Sequence, residues 1–388
     1  MKSSVKITHI IFIAIIFSAL AVLLFKYSRD LNNTVDYFSG NNDLEGVYMI
    51  ALERFESNNW NELYGKERLK TKNQFLYAPL VINYFKGIKD CPRKKHYVLL
   101  LLSAFLTYVM MLCFFKTNFI NSILLLFIVV FGTWKGLFFS ITTFNITMFE
   151  MVFLWAGILA VLRKNILLSQ FLFLLAGMFK FHWWAMGAVY LLLDKNRIKY
   201  TISYVMMIGV FFLTNLLLYQ EGTLLWLELL KTYSNISMFE ARNPFPGINI
   251  IFGVFWGVLS LVTFVIWYLI SKNHRDLKVP LILLVFVTVN LLPRFNPYQF
   301  IYLAPVLYYV FVRINSKEKA FLVTVIPFIT YSWNIYLITV YCWLILCYLF
   351  VLEIRANEKF MLMFSRIFDR IKKINCPGSP GKKQKGAS

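Results

Sequence analysis

The chain has 388 residues, 59% hydrophobic, 18% aromatic and 15% charged, with 40 Lys and Arg against 19 Asp and Glu for a formal charge of +21. A soluble domain carries about 25% charged residues, so the composition argues against a soluble fold, and the apolar content excludes disorder over most of the length. The basic residues lie between long apolar runs and not on one polar face, which sets aside a nucleic-acid footprint and leaves a polytopic membrane protein with basic cytoplasmic loops.

The first apolar run, residues 7–25, is flanked by Lys2, Lys6, Lys26 and Arg29. It exceeds the usual core of a signal peptide, so a retained anchor is expected. Residues 27–95 then form the largest polar segment. From Asp30 to Glu62 its acids are Asp30, Asp36, Asp43, Glu45, Glu53, Glu56 and Glu62, against the single base Arg54. Outer loops avoid Lys and Arg, which accounts for such a stretch in a basic protein and is the first reading for any single acid; the functional alternative is a carboxylate acting as a base on a substrate at the outer face. Asp43 opens Asp43-Leu44-Glu45-Gly46-Val47-Tyr48, which reads as a helix start with an acid at the cap. Farther on, Phe75-Leu76-Tyr77-Ala78-Pro79-Leu80 is aromatic and proline-marked, as a helix entering the bilayer interface would be.

Further apolar runs cover residues 97–115, 119–139, 146–162, 166–179, 181–193, 202–219, 248–270, 279–292, 298–312, 320–331 and 335–352. The expected fold is an all-α transmembrane bundle of about 12 spans over residues 1–355, with 27–95 as a large first extracytoplasmic loop. None of the runs has the period of two that a membrane barrel strand requires. Residues 356–388 read as a basic cytoplasmic tail. Five cysteines, with no CxxC pair, give neither a disulfide framework nor a zinc site.

Arg163-Lys164, Lys195/Arg197/Lys199, Lys272/Arg275/Lys278 and Arg313/Lys317/Lys319 mark the cytoplasmic side, and both termini are placed there with the tail. Residues 27–95, the Lys180–His182 break, residues 220–247 and residues 294–297 then fall outside. Arg93-Lys94-Lys95 resists this alternation unless residues 75–88 also cross, and that point stays open. The expected location is a bacterial cell membrane.

Cationic candidates at outer helix ends are Lys180, His182, Arg242 and Arg294. Lys180 interrupts an apolar sequence, where a charge at mid-helix costs about 2.5–3.5 kcal/mol, so function and a snorkelling helix end weigh evenly. Arg242 suits bidentate phosphate binding or an ion pair with Glu240. Arg294 lies between Pro293 and Phe295-Asn296-Pro297 at a helix break. His182, beside Trp183 and Trp184, reads first as a stabiliser of the turn. Glu150, inside an apolar run, reads first as a structural pairing partner.

Together these elements resemble the GT-C membrane glycosyltransferases, and most nearly glycosyltransferase family 87, the polyprenyl-phosphate-mannose-dependent mannosyltransferases. The matches are Asp43…Val47-Tyr48, Tyr77-Ala78-Pro79-Leu80, Asn145 in Thr143-Phe144-Asn145, Gly177 and Lys180 in Ala176-Gly177-Met178-Phe179-Lys180, Asn235-Ile236-Ser237, and Leu292-Pro293…Tyr298-Gln299. The family's Gly-Gln and His-His pairs are not kept, which leaves the sugar open. The resemblance implies transfer from a polyprenyl-phosphate-linked sugar donor to a lipid or glycan acceptor at the outer membrane face, by inverting direct displacement. It implies Asp43 as catalytic base, Lys180, Arg242, Arg294 and His182 at the donor phosphate, and Tyr48, Tyr77, Asn145, Asn235, Tyr298 and Gln299 at the substrates. No cofactor is expected and no metal cluster stands out; whether a divalent ion assists stays open. The competing readings are a lipid-linked polysaccharide polymerase or ligase, a secondary transporter and a non-catalytic scaffold. A transporter should gather its polar groups on broken helices near the midplane, whereas here they gather at outer helix ends.

Overall fold

The computed structural model describes residues 44–65, 76–87, 93–129, 145–193, 196–239, 249–272, 276–290, 301–313 and 335–356, with residues 89, 140 and 274. Among these residues all regular structure is helical. Asp43, Arg242, Arg294, Tyr298 and Gln299 lie outside them, as do the first apolar run and the basic tail.

A π-helical turn, Leu44–Met49, begins directly after Asp43 and runs into α1, Ile50–Glu56. The expected helix start is therefore present, though its first turn is π rather than α. The chain reverses at Ser57-Asn58-Asn59. The Ser57 hydroxyl donates to the carbonyls of Glu53 and Arg54, Asn58 takes a left-handed φ of 53°, and the Asn59 side chain caps α2, Trp60–Tyr64. Asparagine tolerates that φ and caps well, so this corner is written in its residue types. Pro79 then occupies the first turn of α3, Pro79–Lys86, where its missing N–H costs nothing. Eight residues of helix reach about 12 Å, too short to cross a bilayer core of about 30 Å.

The long apolar runs become α4 (Arg93–Phe115), α5 (Phe119–Phe127), α6 (Thr147–Leu162), α7 (Ile166–Phe179), α8 (Arg197–Leu218), α10 (Asn249–Ser271), α11 (Lys278–Asn290), α12 (Ala304–Arg313) and α13 (Ile335–Ala356). Residues 220–247, expected as an outer loop, instead hold a further helix, α9, Gln220–Phe239. Its Thr223, Trp226 and Leu229 are buried along one face, while Glu221, Leu224, Leu227 and Glu228 are exposed. Val98–Phe115 of α4 and Arg197–Leu218 of α8 are long and apolar enough to cross a membrane. Only 17% of the α8 stretch is buried, with Ile198, Ile202, Val205 and Leu217 more than half exposed. An apolar stripe of that extent is not the surface of a soluble core helix.

α6 and α7 form a hairpin over Arg163-Lys164-Asn165, in which Lys164 has φ 61° and Asn165 caps α7. Gly157 lets the Phe173 ring lie against the α6 backbone. The polar side chains of α7 are all used. Ser169 shares a hydrogen bond with the Tyr190 hydroxyl at 2.8 Å, while Gln170 donates to the Tyr200 carbonyl and accepts from Ser203. After Lys180 the chain continues as a 3-10 helix, Phe181–Leu192. Side chains three apart eclipse in this helix type, and the buried Trp183, Met186 and Val189 form such a row.

The segments 44–65 and 76–87 are bolted to the corner between α8 and α9. Asn215, fully buried within α8, accepts from the Leu80 N–H at 2.9 Å and donates to the Phe211 carbonyl. The Trp226 indole donates to the Leu76 carbonyl and Asn83 to the Tyr219 hydroxyl. The Tyr64 hydroxyl donates to the Tyr77 carbonyl at 2.8 Å, and burial pushes this phenol well above its ordinary pKa, so it stays a donor. Trp60 lies flat over Gly222, where any side chain would collide with its ring.

The opposite end is fastened by Glu353, one residue beyond the apolar run 335–352. Its side chain is fully buried, accepts from the Tyr309 hydroxyl at 2.8 Å, and has His274 Nε2 at 3.3 Å and Arg313 Nε at 3.8 Å. Burial opposes its charge, but His274, Tyr309 and Arg313 outweigh it and hold the carboxyl below its ordinary pKa. A depressed carboxylate adds stability above its unfolded value, and that stability disappears as pH falls through the folded value. Glu353→Gln should therefore cost roughly 1.5–3 kcal/mol at pH 7. In thermal melts of the detergent-solubilised protein, the gap to wild type should close as pH falls below about 4.3.

Candidate functional site

Lys180 ends α7 in an extended conformation, φ −145° and ψ 104°. The peptide on its C-terminal side turns into the 3-10 helix, with the Trp183 N–H bonded to the Lys180 carbonyl at 3.0 Å. The break falls at Lys180 because an ammonium cannot be left inside an apolar helix, while at a helix C-terminus it meets the negative end of the dipole. Gly177, one turn earlier, is open to the Trp184 indole, which lies where its side chain would be and donates to the Leu174 carbonyl. The paired Gly and Lys thus set the position of the aromatic run that follows.

The charge on Lys180 acts on two neighbours, Glu150 and His182. Glu150 belongs to the first turn of α6 and is fully buried. The Trp183 indole faces its carboxylate without reaching hydrogen-bond geometry. Both Glu150 oxygens, Trp183 Nε1, His182 Nε2 and the Tyr302 hydroxyl are buried and have no hydrogen-bond partner among the described residues. These side chains are contiguous. The His182 and Trp183 ring centroids are 4.4 Å apart, Trp183 and Tyr302 4.9 Å at 87°, and His182 and Tyr302 6.0 Å. More than nine in ten buried polar groups are paired in folded proteins, and an unpaired one costs about 1–3 kcal/mol. Five such atoms gathered in one place among the described residues make this cluster the candidate site.

The segment of residues 76–87 packs beside this cluster. Tyr84 of α3 meets Phe149, beside Glu150, and Phe179, beside Lys180, with centroids at 5.8 and 5.4 Å. Burial raises its phenol to about 12, so it stays protonated. Phe181 packs against Trp226 of α9. The segment that Asp43 precedes is thus joined through α3 to the end of the bundle that carries Lys180.

The other expected site residues fare differently. Tyr48 is buried, stacked on Phe85 at 4.3 Å and met edge-on by Tyr77 at 6.0 Å, so it packs α3 against the π turn. Tyr77 contributes its carbonyl to Tyr64. Asn145 is buried, and its side-chain oxygen accepts from the N–H and the hydroxyl of Thr147, which places it in the capping of α6. Asn235 lies on α9, within the helix and not in a loop. Lys180 and His182 stand together as expected. Glu150, Trp183 and Tyr302 were not among the expected site residues; the available signal was a lone carboxylate in an apolar run, which marks function by default. Among the described residues no group of three or more His, Cys, Asp or Glu can hold a metal ion.

No protein-family model matches the chain, and no characterised protein is significantly similar to it.

Lys180→Met and Glu150→Gln each remove one member of the electrostatic coupling between the two sites. In a thermal-stability cycle over the two sites, the double variant should be more stable than the sum of the singles by about 0.5–3 kcal/mol, the range for groups in contact. An additive cycle would show the two charges to be independent.

Proposed function

We propose that the chain is a polytopic membrane glycosyltransferase that moves a sugar from a polyprenyl-phosphate donor to a lipid or glycan acceptor at the outer face. The observation that carries this reading is the seat of Lys180, a cation at the joint of two apolar helices whose charge reaches Glu150 and His182. A phosphate held by a lipid tail arrives at the height of such a joint, and its departure needs positive charge already in place. The exposed apolar stripe of α8 supports a lipid surrounding. The similarity of the Asp43, Gly177 and Lys180 segments to GT-C mannosyltransferases supports the reaction type, and the family's mannose is one candidate for the sugar.

In this mechanism Lys180 receives the donor phosphate, with Arg242 and Arg294 completing its charge balance from their own outer segments. The acceptor hydroxyl attacks the anomeric carbon opposite the phosphate. The new carbon–oxygen bond forms as the bond to phosphate breaks, so the configuration inverts. Polyprenyl phosphate leaves with the electron pair, and Asp43 takes the hydroxyl proton. Asp43 suits that role because it precedes the helix whose aromatic residues pack on α3, and α3 meets the residues beside Glu150 and Lys180.

Asp43→Asn keeps a capping oxygen and removes the proton acceptor. Sugar transfer from polyprenyl-phosphate-mannose should fall by roughly 10²–10⁴-fold while donor binding persists. Transfer at the wild-type rate by the folded variant would remove Asp43 from the mechanism. The topology has its own test. Single cysteines at Asn58 and Lys164 should react with impermeant maleimide from opposite sides of sealed vesicles, and labelling from one side would overturn the arrangement.

A further inference from the structure

We infer that Glu150, Trp183 and Tyr302 form the subsite for the ring hydroxyls of the transferred sugar, next to a phosphate position at Lys180. This rests on the reading of the chain as a lipid-linked sugar transferase, and it assigns to that site a recognition element that the residues around Asp43 do not supply.

The starting point is the set of five buried polar atoms, on Glu150, His182, Trp183 and Tyr302, that have no hydrogen-bond partner among the described residues. The set mixes hydrogen-bond types. The Glu150 carboxyl brings two oxygens that accept and, when it carries its proton, one donor; the Trp183 indole brings a donor only, and the Tyr302 hydroxyl both. A ligand that satisfies all of them must itself donate and accept on neighbouring atoms. A sugar ring does so, because each hydroxyl gives one proton and takes another. Two vicinal hydroxyls can donate to the two oxygens of one carboxylate, leaving their own lone pairs for the indole N–H and the phenol.

Other ligands fit less well. A second anion in place of the sugar would bring acceptors only and leave the Glu150 oxygens without a donor. A metal ion would find one carboxylate, no group of three ligating residues among the described ones, and the positive field of Lys180. Lys180 and His182 are half-buried where the other three side chains are buried, so the cluster is entered from the helix break. The same entry sets the order of the parts, with phosphate at Lys180 outside and sugar at Glu150 within. The phosphate and the sugar are thus read by different residues of one site.

The test compares short-chain polyprenyl phosphate with its mannosyl and glucosyl derivatives, binding to the full chain in nanodiscs, read by quenching of tryptophan fluorescence. Wild type should prefer a glycosylated lipid over the bare phosphate. Glu150→Gln should cut that preference about 10-fold or more, and Tyr302→Phe, which removes one oxygen without changing shape, about 3-fold. Neither should move affinity for bare polyprenyl phosphate, whereas Lys180→Gln should weaken all three lipids alike. If Glu150→Gln does not fold, Tyr302→Phe decides. Variants that keep the wild-type preference, or a wild type that binds all three lipids equally, would overturn the sugar subsite and leave the proposed function standing. A wild type that binds none of them would overturn both.

Discussion

A lysine between two apolar helices is the constraint from which this architecture follows. Its ammonium cannot sit mid-helix without a penalty of about 2.5–3.5 kcal/mol, so α7 ends there and the chain starts again in a different helix type. The same charge fixes what lies opposite. Glu150, in the first turn of the preceding helix, is within its field, which ties the start of α6 to the end of α7. The antiparallel hairpin brings those two ends together in any case, since Arg163-Lys164-Asn165 leaves no slack at the other end. Connectivity and electrostatics thus agree on one arrangement.

The segments 44–65 and 76–87 give Leu52, Leu63, Val81, Ile82 and Phe85 to the apolar core, and single polar groups fix where they sit. Asn215 is a polar side chain in an apolar helix, and the N–H of Leu80 satisfies it across 135 positions of sequence. Trp226 reaches Leu76 in the same way. Removing either partner would leave a buried group unsatisfied, so the position of α3 beside Glu150 and Lys180 is specified rather than merely favoured. Synthesis imposes an order as well: α3 cannot seat beside the site until α8 and α9 exist.

Much of this was legible in the sequence, and the misses have physical causes. The helix ends at Phe115, Leu162 and Phe179 and the break at Lys180 fall where the apolar runs stop, because insertion cost acts residue by residue. Pro79 and Asn59 announce helix starts through backbone chemistry alone. α9 was missed because its mean polarity resembles a loop; the signal lay in the spacing of Thr223, Trp226 and Leu229, which a composition reading averages away. Tyr48 and Asn145 were assigned to substrates, yet both are engaged in packing and capping. Short motifs do not distinguish those roles. The pairing of Glu150 with Lys180 was hidden because it joins two helices and has no local pattern. The helical content of Phe181–Leu192 was expected, but not its 3-10 form, which depends on neighbours such as the Tyr204 ring lying on Gly187.

That 3-10 form has a geometric consequence. At about 2.0 Å per residue, against 1.5 Å in an α-helix, the 12 residues Phe181–Leu192 extend about 24 Å where an α-helix would extend about 18 Å. The tighter winding trades hydrogen-bond quality for reach. The stretch therefore separates its two ends by about 6 Å more than the same residues would as an α-helix, and the Lys180 break and the start of α8 stand that much farther apart.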